Sequence, residues 1–132
     1  MALVTKTNVG LDLSTAQIAP QITGLIAGED LAANDFCRIH TDGKVYRSNA
    51  TAADLQARFH GVSGRDYKAG EPVTLFGPGT RLQYSTGLVV GTRLFLGATA
   101  GRLDTAATTG DAIGVAFVVS EKDIVVARYA IS

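Results

Sequence analysis

The chain has one cysteine, Cys37, so no disulfide forms within it and the fold must stand without such a staple. That usage fits synthesis in a reducing cytoplasm. There is no tryptophan, and the four tyrosines are spread over Tyr46, Tyr67, Tyr84 and Tyr129. A carbohydrate- or host-binding module would want clustered exposed aromatics, so that reading ranks second. Twelve basic residues stand against twelve acidic ones. No global field therefore steers the chain to nucleic acid, and no basic cluster draws it to an anionic membrane surface. No apolar run approaches the roughly 18 residues of a membrane span. The first residues lack the basic-then-apolar order of a signal peptide. Neither nucleic acid nor membrane is an expected partner.

Chemical motifs are also missing. Cys37, His40 and His60 are the side chains that would suggest a metal, yet a zinc site needs three or four converging ligands. Cys37 and His40 lie three apart on a predicted strand and so point to opposite faces; Cys37 reads as a small buried apolar side chain. Nucleophile-base pairings are limited to Ser63 with His60 and Ser120 with Asp123, and neither sits in a strand-to-helix elbow. Asp104 and Asp111 are expected to solvate polar loops. The glycines from Gly87 to Thr92 lack the Gly-Lys-Ser/Thr of a phosphate loop. Tyr46 beside Arg47, and Tyr67 between Arg65 and Lys68, are faint matches to single-strand nucleic-acid binding and read better as a solvated rim. The expectation is a non-enzymatic protein with no catalytic residue, no metal and no cofactor.

What is present is a pattern stated twice. Asp35 to His40 is a short strand, followed by a glycine turn and a return strand at Gly43-Lys44-Val45. Arg93 to Leu96, then Gly101-Arg102-Leu103, repeats it. Glycine-led strands follow at Gly61-Val62-Ser63 and at Gly114 to Val118, and each half ends on a strand, Pro72 to Leu75 and Ile124 to Ala127. Gly77-Pro78-Gly79 breaks the chain between the halves. Asp42-Gly43 predicts a two-residue hairpin turn with both residues at positive φ. Ala52 to Ala57 carries at most a short helical turn. At 132 residues this is one domain, and 46% apolar composition, much of it alanine, leaves Val, Leu, Ile and five Phe to make the core. The predicted fold is all-β: a small barrel-like body with an internal pseudo-twofold repeat, Asp35 to Leu75 matching Thr92 to Arg128. Closing the sheet would remove exposed edges.

Residues 1–27 differ from the rest, with Lys6 and Asp12 their only charges. Val9, Leu11 and Leu13 alternate with polar or small residues, Ser14 to Gln17 has capping-box spacing, and Pro20 limits any helix to about a turn. The division is an extended N-terminal arm over residues 1–27 and a β body over residues 28–132. The other reading is a first strand plus loop of the same domain. As an arm, the segment offers Leu3, Val4, Val9, Leu11, Leu13, Ile18 and Ile22 as contacts to a partner or a neighbouring copy.

The runs GLIAGEDLAANDFCRIHTDGKVYRSNAT (residues 24–51) and AGEPVTLFGPGTRLQYSTGLVVGTRLFLGATAGRLDTAATTGDAIGVAF (residues 69–117) resemble small virion proteins of tailed bacteriophages. These are the capsid decoration, or cement, proteins with a β-tulip-type body. The similarity covers nearly the whole chain, including the stretch from Val9 to Leu25. It implies a structural protein on the outer surface of the phage head that bridges neighbouring major capsid subunits and stabilises them. It implies self-association as well, as a homotrimer ahead of a dimer. Similar modules occur in head fibres, necks and tails, which are the alternative placements. At this length no large extra domain, and so no outward receptor module, is expected.

Overall fold

A computed structural model describes residues 3–7 and 20–131. Among these residues ten short strands carry the fold: β1 (Gln21–Ile26), β2 (Phe36–Ile39), β3 (Val45–Arg47), β4 (Gly61–Ser63), β5 (Pro72–Phe76), β6 (Arg81–Gln83), β7 (Arg93–Leu96), β8 (Leu103–Asp104), β9 (Ala116–Val118) and β10 (Asp123–Val126). Among the described residues one 3-10 turn, Leu55–Ala57, is capped by Asp54, whose carboxylate accepts the Gln56 N–H. The chain is all-β. Its strands form two five-stranded antiparallel sheets, ordered β1-β5-β4-β2-β3 and β6-β10-β9-β7-β8. Adding five to each strand number turns the first order into the second, so the duplication holds strand for strand.

The pairing fixes which residues correspond. Cys37 lies opposite Gly61 in the first sheet, as Leu94 lies opposite Ala116 in the second. Ser63 faces Leu75 as Val118 faces Ile124, and Ile22 faces Leu75 as Leu82 faces Ile124. Because side chains alternate along a strand, these equivalences also assign the faces. One face of the first sheet buries Cys37, Val45, Val73 and Leu75 under Ala27, Leu31 and Tyr67. The matching face of the second buries Leu82, Leu94, Leu96, Val118 and Ile124. Phe36 and Val62, on the reverse of the first sheet, join this second cluster. There Phe36 stacks on Phe59 at 4.8 Å between centroids and meets Tyr84 edge-on at 6.1 Å. Each such buried side chain contributes about 1.5–3 kcal/mol. The first repeat thus lays its back on the inner face of the second.

Two expectations are corrected. The boundary at residue 27 does not separate an arm from a body, because β1 pairs with β5. Ile22 and Leu25 pack against the core cluster of that sheet, paired with Leu75 and Val73. Gly24, at φ 80°, takes up the bulge that keeps both on the same face. The chain then continues through Ala27, which bridges to Val45 on the opposite edge strand β3. The first repeat therefore begins at β1. The turn after β2 is also different: only Gly43 has positive φ, at 81°. Gly43 donates to the His40 carbonyl, and His40 donates to that of Lys44, closing a three-residue loop with a glycine bulge. Asp42 keeps an ordinary φ because its carboxylate accepts the Lys44 N–H and the Tyr46 hydroxyl.

Candidate functional site

The expected contact residues fall in separate places. Leu3 is exposed and bridges to Asp104 at the edge of the second sheet. Val4 is buried in the larger core cluster, its N–H on the Leu103 carbonyl, so it is spent inside this chain and withdrawn from the contact surface. Ile22 packs on the core of the first sheet. Val9, Leu11, Leu13 and Ile18 lie outside the described residues. The segment from Leu3 to Thr7 runs from β8 to the end of β6, where the Thr7 N–H meets the Tyr84 carbonyl.

The residues weighed for chemistry are committed to holding loops. Cys37 is fully buried, its thiol directed at the Asp35 carbonyl, and burial raises its pKa far above the usual thiol range, with Asp35 adding to the effect. His60 accepts the Ile39 N–H at Nδ1 at 2.8 Å. Burial lowers its pKa, and Arg58 adds to that, which favours the neutral ring this bond needs. His40 sits against Arg38 and Tyr46 instead, so the two imidazoles do not converge. Ser63 donates its hydroxyl to the Ala32 carbonyl, and Ser120 accepts the Lys122 and Asp123 N–H groups. Arg65 lies over the Tyr67 ring at 4.5 Å, which takes that face from any stacking base. Among the described residues no group of three His, Cys, Asp or Glu side chains is placed to hold a metal ion.

Asp104 and Asp111 do not solvate loops; both are buried. Asp111 accepts the Leu96, Ile113 and Gly114 N–H groups and pairs with Arg128 at 3.0 Å. It ties the loop before β9 to β7 and to the C-terminal segment. Asp35, just before β2, is a second buried carboxylate of this kind, in the first repeat. It accepts the Ala32 N–H at 2.8 Å and pairs with Lys6 at 3.2 Å. Burial raises the Asp35 pKa, against the opposing pull of the Ala32 N–H and Lys6.

Asp35 and Lys6 also line a cleft of about 510 Å³. Loops of the first repeat supply Asp30, Asp66, Lys68 and Glu71; Arg47, Arg102 and Lys6 come from β3, the turn before β8 and the N-terminal segment. Gly101, at φ 76°, makes the cleft wall possible, because a Cβ there would stand 2.7 Å from the Asp35 carboxylate. Each acidic side chain holds a backbone N–H: Asp30 that of Ala69, Asp66 that of Ala33, Glu71 that of Lys68. The Ala69 N–H, then Lys68, lowers the Asp30 pKa. Four basic side chains stand against four acidic ones, so the cleft carries no excess of either sign; Lys6 pairs with Asp35 and Lys68 with Asp30, while Arg47 pairs with Glu29 and Arg102 donates to the Val4 carbonyl.

No family model matches the chain, and no curated protein matches it. Among the described residues no helix is long and apolar enough to cross a membrane.

Proposed function

We propose that this chain is a non-enzymatic structural protein of a tailed-phage virion. It decorates the outer surface of the assembled head and bridges neighbouring major capsid subunits. The observation that carries the reading is the use of its polar groups. Asp35, Asp66, Asp111, Ser63 and His60 each hold backbone of a loop, and the result is a rigid duplicated β body with its acids and bases spent on shape. The sequence resemblance to phage cement proteins supplies the context. A cement protein needs rigidity, self-association and contacts to more than one subunit. The exposed Leu3 and the apolar residues Val9, Leu11, Leu13 and Ile18 supply side chains for such contacts.

The protein works as a homo-oligomer, a trimer ahead of a dimer. Several weak contacts per oligomer then multiply, with avidity gains of about 10²- to 10⁴-fold. Binding only the assembled lattice stabilises it by mass action. The test is to add purified protein to heads lacking it and to localise it by electron microscopy. Density on the outside of heads, at a copy number comparable to that of the capsid protein, is expected. Label confined to tails or necks would move the protein to another part of the virion, and no binding to any virion part would reject the reading.

A further inference from the structure

The repeat assigns one surface an unexpected exposure. Phe36 faces Val62 across β2 and β4, and the equivalent pair in the second repeat is Arg93 facing Phe117 across β7 and β9. Phe36 and Val62 are fully buried, since the first repeat lays this face on the second. Phe117 is 40% exposed. It stands on β9, the middle strand of its sheet, with Arg93 opposite on one side and Val125 opposite on the other. Val89 and Val90, both exposed, occupy the turn that hydrogen-bonds to the Val118 carbonyl at the end of β9. A phenylalanine at the centre of an open sheet face differs from scattered apolar residues at loop tips, which need no explanation.

The charges on this face indicate what covers it. The Arg93 stem lies against Gly114, where an added Cβ would meet it at 2.7 Å. Among the described residues Arg93 makes no ion pair, whereas Asp123 on β10 is shared with Arg81. Now place a second copy face to face, related by a twofold axis running along β9. Strand β7 of each copy then lies over β10 of the other, because these two strands flank β9 symmetrically. Arg93 is level with Val125, so Asp123 is displaced by two residues, about 7 Å, within reach of an arginine side chain. Opposite charges meet twice while Phe117 packs near the axis. We infer that the outer face of the second sheet, centred on Phe117, is the interface between two copies of this chain. The inference deepens the self-association in the proposed function and selects its dimer, since an isologous contact closes with two chains.

The experiment is sedimentation velocity over a micromolar range on the full chain, with Phe117→Thr and Arg93→Glu as variants. Threonine keeps strand propensity at an exposed site, and thermal melts check that both variants stay folded. A wild-type mass of two chains is expected, with association weakened at least about tenfold in each variant while a cooperative melt shows each still folded. Where Phe117→Thr does not fold, Arg93→Glu decides. A monomeric wild type would overturn this inference together with the homo-oligomer reading. A three-chain mass, or dimers unaffected by both variants, would overturn this interface alone and leave self-association standing. Dimers unaffected by variants that no longer bind heads would assign the face to the capsid and overturn the inference likewise.

Discussion

At the scale of single residues, the side chains with most to lose are the buried carboxylates. Asp111 satisfies three backbone N–H groups and Arg128 from a fully buried position. Asp111→Ala strands all four partners at once, and removing one member of a buried charged pair costs about 3–5 kcal/mol. A loss of that size in urea or guanidinium unfolding is expected; a loss under about 1 kcal/mol would mean the network contributes little. His60 gives a pH signature. Its folded pKa is lowered, so the unfolded chain takes up the proton first. As pH falls through the ordinary histidine value near 6.5, the unfolded state binds more protons and stability declines. NMR titration should place the His60 ring below that value. Unfolding free energies at pH 7 and pH 5 should show a larger acid loss in wild type than in His60→Gln. An equal loss in both would assign the acid sensitivity to other groups.

At the scale of elements, the N-terminal segment decides between two views of the chain. Val4 is in the core, and Lys6 reaches both the Asp35 carboxylate and the Ala33 carbonyl. Lys6→Ala should therefore destabilise the isolated protein by about 3 kcal/mol, whereas Leu3→Ala at an exposed site should change it by less than about 0.5. Differential scanning calorimetry reads both, and wild-type stability in Lys6→Ala would return residues 3–7 to the role of a dispensable arm. The succession of strands along the chain, though not their order within each sheet, was legible in the sequence because glycine turns recur between short apolar runs. The register was less so. Gly61 matches Gly114 by its place before a strand, yet the pairing sets Gly61 against Ala116, and Leu75 corresponds to Ile124. Gly114, at φ 97°, belongs to the turn before β9, and the buried face decides the register. β1 was harder to read because its burial is slight and its pattern is broken by the bulge at Gly24. The cleft was hidden for a different reason. Lys6, Asp35, Arg47, Asp66 and Arg102 are far apart in sequence, and an acid that caps a distant N–H looks the same in a sequence as one that solvates a loop.

At the scale of the whole molecule, the distribution of exposed apolar groups bears on attachment to a head. The first repeat hides its reverse face on the second, and the second leaves the equivalent face open at Phe117. Leu3 is exposed on the segment that leads to the apolar stretch containing Val9, Leu11, Leu13 and Ile18. Under the proposed reading one body would offer two kinds of surface, a sheet face for a second copy and an apolar segment for the lattice. Balanced charge, twelve against twelve, gives the chain no long-range attraction to packaged DNA. An attachment built from apolar contacts also resists salt, unlike one built from exposed ion pairs. Under the proposed cement role, heads lacking this protein should release DNA at a lower temperature, and under milder chelation or osmotic shock, than complete heads. Adding the purified protein back should restore the difference, and raising salt to 1 M, where the Debye length is about 3 Å, should not abolish the restoration. Binding to the lattice stabilises it by RT ln(1 + [L]/Kd), so protection should go on rising logarithmically with protein concentration after the sites fill, reaching about 2.7 kcal/mol at a hundredfold excess over Kd. A dye-release melt of the two head preparations measures the effect, and equal release temperatures with and without the protein would remove the cement role.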